Sequence, residues 1–266
     1  MLKERKQKEA EFHDRLRSET LKKDKDAFKY LTSNIKFYSI TRKSRTFVIN
    51  WLLQRCRGKK VLDYCCGDGD FSIFLAKNGA NATGIDISGT SIENAKRIAI
   101  SEGVGKNTSF FVMDAENLGF EDNYFDLIIC SGILHHLDVK KAYPELARVL
   151  KPEGEIICNE PLIHNPFFQL YRKMTPHLRT EWEMHHILSK SDIGLAEKYF
   201  DRFETKFFHL ATLLAVPFRN LPGFNFILGV FEKVDLILLK LPFLKWWAWQ
   251  IVFILSEPKK KQIKSI

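Results

Sequence analysis

Apolar and polar positions change rhythm along the chain. Over the first 57 residues the apolar positions recur three or four apart: Phe12 and Leu16 share one face, Phe28, Leu31 and Ile35 follow, and a further pattern runs from Thr41 to Leu53. That spacing predicts an arm of two or three helices over 1–57, placed to act as a lid. From Lys59 to about Glu160, short apolar runs alternate with amphipathic segments, the pattern of a parallel sheet covered on both faces. Strands are predicted at 60–65, 82–87, 108–113, 125–130 and 154–159, and helices at 70–78, 89–102 and 139–150, opened or closed by Gly, Ser or Pro. The segment 161–200, rich in Pro, His and aromatics, interrupts this alternation where a substrate cap would sit. Two more strands are predicted at 203–208 and 249–255, with an apolar, helical insertion over 209–247 between them. The expectation is an α/β fold in which 58–266 form one domain: a seven-stranded, mostly parallel sheet with helices on both faces, preceded by the arm.

Composition narrows the class. A chain of 266 residues that is 45% hydrophobic can bury one sizeable core, which excludes disordered and collagen-like chains. The five cysteines, odd in number and including the vicinal pair Cys65 and Cys66, suit neither a disulfide framework nor a Cys-x-x-Cys knuckle. With no apolar leader behind the charged start, a reducing, cytoplasmic setting is expected. The net charge of +9 is uneven, with basic ends flanking an acidic centre. A basic arm suits nucleic acid, anionic lipid, an acidic substrate or a merely solvated helix, so charge does not decide among them. The late apolar runs are too short to span a bilayer. Aromatics interleaved with lysines over 221–249 suit a peripheral membrane contact, a greasy substrate tunnel, or ordinary sheet-covering helices with a homo-oligomer contact.

Candidate chemistry gathers at the predicted strand ends. Val61, Leu62 and Asp63 lead through Cys65 and Cys66 into a Gly67-Asp68-Gly69 turn that opens a helix. Dinucleotide folds use such a turn to seat a pyrophosphate, but Ser72 replaces the third glycine, and Asp63, Asp68 and Asp70 would repel a phosphate. A cationic or zwitterionic ligand fits better. Nineteen residues after Gly67, Asp86 ends the second strand where an acid can accept from ribose hydroxyls. Asp114 ends the third, where it could receive an exocyclic amine of adenine, and Ser131 ends the fourth, just before His135 and His136.

Six stretches then stand in register over about one hundred residues: Val61-Leu62-Asp63 with Gly67 and Gly69, Gly84-Ile85-Asp86-Ile87-Ser88, Asp114-Ala115-Glu116, Phe125-Asp126-Leu127, Leu134-His135-His136-Leu137, and Arg148-Val149-Leu150-Lys151-Pro152 with Gly154. This order resembles the class I S-adenosylmethionine-dependent methyltransferases that act on small molecules, such as those of ubiquinone and menaquinone biosynthesis. The resemblance implies a Rossmann-like fold, S-adenosyl-L-methionine as cofactor and S-adenosyl-L-homocysteine as product. It also implies Asp63, Gly67 and Gly69 around the methionine moiety, Asp86 on the ribose, Ile87 against the adenine, Asp114 and Ala115 at its edge, and Ser131 on the sulfonium side. Asp70, where the family often has Gly, and the Cys65-Cys66 pair depart from the pattern.

Methyl transfer needs alignment and sometimes a base. The candidates are His135, Glu160 at the tip of the fifth strand, and His13 if the arm folds over the site; His136, His164, Arg172 and Arg179 are candidate substrate contacts. A prenyl diphosphate acceptor would use Arg172 and Arg179 on its phosphates and Glu160 to quench a carbocation. His177, His185 and His186 with Glu181 or Glu183 are too loosely spaced for a metal site, and no metal is expected. The expected acceptor is a small lipophilic metabolite methylated at O, N or C. The alternatives are a nucleic-acid (RNA) methyltransferase, for which Asn165-Pro166-Phe167-Phe168 follows the wrong strand, a nicotinamide-dependent oxidoreductase, or a catalytically inactive nucleotide-binding module.

Overall fold

The computed structural model describes residues 2–22, 35–174 and 186–259. Its centre is a seven-stranded sheet built from β1 (Lys60–Tyr64), β2 (Asn81–Asp86), β3 (Thr108–Val112), β4 (Phe125–Ser131), β5 (Leu150–Pro161), β6 (Phe200–Phe208) and β7 (Gln250–Pro258). The spatial order is β3-β2-β1-β4-β5-β7-β6, with β7 antiparallel to both of its neighbours and the other pairs parallel. Val61, Leu62, Ile128 and Ile129 are buried on both faces of the central strands, which is why these segments read as continuous apolar runs. The order reverses between β2, β1 and β4. At such a switch point the carboxyl ends of neighbouring strands part and leave a crevice for a ligand.

The helices are α1 (Leu2–Lys22), α2 (Ile35–Tyr38), α3 (Arg42–Leu53), α4 (Asp70–Lys77), α5 (Gly89–Ser101), α6 (Val139–Val149), α7 (Pro166–Met174), α8 (Lys190–Gly194) and α9 (Phe224–Leu238). Side-chain caps fix two that follow strand ends: Ser88 accepts the Ser91 N–H at 3.0 Å before α5, and Asp138 accepts the Lys140 N–H at 3.1 Å before α6. One face of the sheet packs Leu62, Ile128 and Phe253 against Tyr143 and Leu146 of α6. The other packs Val61, Leu127, Ile129 and Val252 against Val48, Trp51 and Leu52 of α3 and Leu75 of α4.

Two expectations change. The arm does not extend to residue 57, because α3 buries its apolar face on the sheet as part of the core, leaving α1 as the helix that reaches over α5. β5 begins at Leu150, four residues early, because a register irregularity opposite Phe125 and Leu127 lets Leu150 pair with Phe125. The insertion between β6 and β7 is helical, with a 3-10 stretch over Ala211–Phe218, then α9 and Leu244–Trp247. No described helix is long and apolar enough to cross a membrane. Phe28, Leu31 and Arg179 lie outside the described residues, as do His177 and His185.

Candidate active site

At the switch point the β1–α4 turn takes a left-handed course, with φ of +61° at Cys65, +52° at Gly67 and +82° at Gly69. Two carboxylates hold it in shape. Asp63 accepts the Ser72 N–H at 2.9 Å and the Ser72 hydroxyl at 2.7 Å, tying the end of β1 to the first turn of α4. Asp86 accepts the Gly67 N–H and the Ser88 N–H, both at 2.9 Å. Gly69 sits behind the turn, where a Cβ would stand 2.9 Å from the ring of Phe110. Asp63 and Gly69 therefore build the turn rather than line its cavity. Burial raises the Asp63 carboxyl to about 6, with the Ser72 bonds opposing and the nearby Asp86 and Asp70 charges adding to the rise. Burial likewise pushes the Cys65 and Cys66 thiols up, so neither is a thiolate near neutral pH.

The cavity in front of the turn, about 210 Å³, is lined by Gly67, Asp86, Ile87, Asp114, Ala115 and Ser131. Ser91, Met113 and Ile133, to which the sequence reading gave no role, also line it, together with Cys65, Gly132, His136 and Leu137. Arg5, Lys6, Glu9 and His13 of α1 close it from above. The helix is fastened at both sides of the cavity. Lys6 Nζ stands 2.5 Å from Asp114 and 2.9 Å from Glu116, Arg5 also pairs with Glu116, and Asp14 accepts from the Ser88 hydroxyl at 2.5 Å and the Thr90 N–H at 3.2 Å. Burial works against the Glu116 charge, yet the Asp138 N–H, Lys6 and Arg5 hold its carboxyl below the usual range. Glu9 Oε2 lies 3.7 Å from His13 Nε2 and 3.5 Å from His136 Nδ1, a carboxylate between two imidazoles that a divalent ion could share. The signal for this contact is the i, i+4 spacing of Glu9 and His13.

A second cavity of about 300 Å³ adjoins the first, and Ser131, Gly132 and His136 line both. Its other walls are aromatic and polar, with Tyr38, Phe168 and Trp249 facing His135, Arg172 and Gln250. His135 Nδ1 is 2.9 Å from Glu160 Oε2, while Glu160 Oε1 accepts the N–H groups of Ile133 and Leu134 at 2.8 and 2.9 Å. Glu160, a candidate base at the tip of the fifth strand, is instead wholly buried, its carboxylate taken up by two backbone N–H groups and the His135 ring. A carboxylate at Nδ1 selects the tautomer in which Nε2 is the proton acceptor. Arg172 is buried in the wall of this cavity. His164 lies apart from both cavities: its Nε2 accepts the Lys190 N–H at 3.1 Å and its ring stands edge-on to Trp246.

The strand order and the glycine turn define a Rossmann-like fold, and a family model described as a methyltransferase domain matches residues 61–154. That match spans 94 of the chain's 266 residues. Among similar proteins, the ubiquinone/menaquinone biosynthesis C-methyltransferase UbiE of Rickettsia felis is 41% identical over 107 residues, covering 38% of this chain and 43% of the relative. The demethylmenaquinone methyltransferase of Staphylococcus aureus (strain MRSA252) is 37% identical over 122 residues, 44% of this chain and 48% of the relative. The chain thus aligns with less than half the length of these curated relatives. Beyond the matched domain the likeness is one of fold: geranyl diphosphate C-methyltransferase from Streptomyces coelicolor A3(2) superposes with a TM-score of 0.57 at 12% identity, over 81% of this chain and 76% of that one.

Proposed function

We propose that this protein transfers a methyl group from S-adenosylmethionine to a small, lipophilic acceptor. The observation that carries the reading is the shared wall of Ser131, Gly132 and His136, which joins a cavity edged by strand-end carboxylates to an aromatic one. The residues present fit the cofactor. Asp86 would accept from the ribose hydroxyls, Asp114 from the adenine amine, and Ile87, Met113 and Ala115 offer apolar contact to the base. When bound, S-adenosylmethionine supplies an electrophilic methyl group. The chain's own residues supply alignment, exclusion of water and a proton acceptor. Tyr38, Phe168 and Trp249 would hold an apolar acceptor against the shared wall. His135 would take the proton released from an O–H, N–H or activated C–H, with Glu160 fixing the ring.

A small acceptor is favoured over nucleic acid because Arg5 and Lys6 of the basic arm turn inward onto Glu116 and Asp114. The relatives named for quinone biosynthesis support a quinone or isoprenoid precursor as the class to screen first. Calorimetry of S-adenosyl-L-homocysteine against the native chain and Asp86→Ala, with NADH as control, tests the cofactor assignment. Micromolar binding lost in Asp86→Ala is expected; preferential NADH binding would overturn it.

A further inference from the structure

The insertion between β6 and β7 leaves an apolar surface uncovered on the described molecule. On α9 the side chains Phe226, Val230, Val234 and Ile237 fall within an arc of roughly 80° at 3.6 residues per turn, and all are exposed. Phe226 is 77% and Ile237 70% exposed, and Phe243 on the following turn is 86% exposed. The opposite side of α9 carries Leu228, Glu232 and Asp235, which are buried, so the helix shows water a greasy face while its acids point inward.

Beside this stripe runs a groove of about 850 Å³ between β6 and α9, floored by Phe47, Phe207, Leu236 and Leu239. Its rim is basic: Lys43, Lys206, Lys233, Lys240 and Lys245 all line it. Lys206 lies over the Phe47 ring at 4.3 Å and Lys245 over Phe207 at 5.3 Å, so their stems cover the aromatic floor while carrying charge to the edge. The two acids of 205–250, Glu232 and Asp235, also line the groove, which leaves five lysines against two carboxylates that are already engaged. Glu232 pairs with Arg42 at 2.6 Å and lies 3.9 Å from Lys43, and Asp235 accepts from the Thr212 hydroxyl and the Ala211 N–H.

We infer that the exposed stripe of α9 and the lysine-rimmed groove form a docking surface for an anionic phospholipid bilayer. An apolar stripe flanked by lysines on a helix too short to span is the arrangement that lies in the headgroup plane, with the stripe among the acyl chains and the ammonium groups at the phosphates. A second copy of the chain fits less well, because a two-fold contact through this face would bring lysine rim against lysine rim. The inference stands apart from the methyl-transfer reading, although the layer under α9 joins Leu228 to Phe168 and Trp249, two aromatics of the second cavity.

The test is co-sedimentation of the full chain with phosphatidylcholine vesicles and with vesicles of phosphatidylcholine and phosphatidylglycerol, at low and high salt. It is run on the native chain, Phe226→Ser/Ile237→Ser and Lys233→Glu/Lys240→Glu, with circular dichroism melts to establish folding and sedimentation velocity to follow self-association. The native chain is expected to partition onto the anionic vesicles about tenfold or more above the neutral ones, less so at high salt. The lysine pair should remove the anionic preference, and the apolar pair should weaken binding to both vesicles. Absence of binding to anionic vesicles at low salt, binding unchanged in both folded double variants, or a stable dimer that the apolar pair dissociates would overturn the inference.

Discussion

Single residues carry the chemistry, and two of them make opposite statements about pH. Asp63 is buried and its carboxyl is raised from 3.8 to about 6. An acid with a raised folded-state pKa favours the fold in its neutral form, so this contribution is present below about pH 4 and lost as pH rises through about 6. Relative to Asp63→Asn, which keeps an oxygen for the Ser72 donors, the native chain should lose on the order of 2–3 kcal/mol between pH 4 and pH 7, read from urea midpoints. Equal pH dependence in both proteins would contradict that account. For His135, replacement by Ala should lower the rate of methyl transfer by about a hundredfold while leaving S-adenosyl-L-homocysteine affinity unchanged. Glu160→Gln should act through the same ring, shifting the pH–rate profile more than the acceptor KM. The strand-end residues Asp86, Asp114 and Ser131 were legible in the sequence because a strand end and its turn are local features. Arg5, Lys6 and Glu9 were not, because docking of α1 joins residues more than one hundred positions apart.

Elements show the same division. Periodicity located α4, α5, α6 and all seven strands to within a few residues, since each buries a face set by its own apolar spacing. It could not say where α3 packs. What fixes α3 is partly polar: the Ser44 hydroxyl donates to the Gln250 side chain at 2.8 Å and meets His209 Nε2 at 2.9 Å, joining α3 to the facing ends of β6 and β7. Thr212 adds a bond to Asp235 of α9 at 2.9 Å. Burial lowers the His209 imidazole to about 3. A histidine with a depressed folded-state pKa contributes stability above about pH 6.5 that is lost as pH falls toward the folded value. Between pH 6.5 and 4.5 the native chain should therefore lose about 2–3 kcal/mol relative to His209→Asn, a residue that tolerates the left-handed φ of 68°. Because Asp63 works the other way across part of this window, each effect is read against its own variant. Parallel urea curves for native chain and His209→Asn would contradict the assignment.

At the scale of the whole molecule, the uneven charge seen in the sequence has a structural counterpart in α1, whose Arg5 and Lys6 line the cavity beside Asp114 and pair with Asp114 and Glu116. Asp14 fastens the same helix to the start of α5. Asp14→Ala should let α1 lift, speeding S-adenosyl-L-homocysteine release severalfold in stopped-flow displacement; an unchanged off-rate would show that α1 does not gate the cavity. The sequence also showed the apolar insertion but not its orientation, since which side of α9 packs against the Ala211–Phe218 stretch depends on Glu232 finding Arg42 across the fold.

The measurement that bears most directly on the central claim uses S-adenosylmethionine labelled with tritium in its methyl group, the purified chain, and separate lipid, small polar, and nucleic-acid fractions as acceptors. The account predicts that label enters the organic-soluble fraction in native chain and falls about a hundredfold in His135→Ala. Label recovered in nucleic acid, or in no fraction although the cofactor binds, would contradict it.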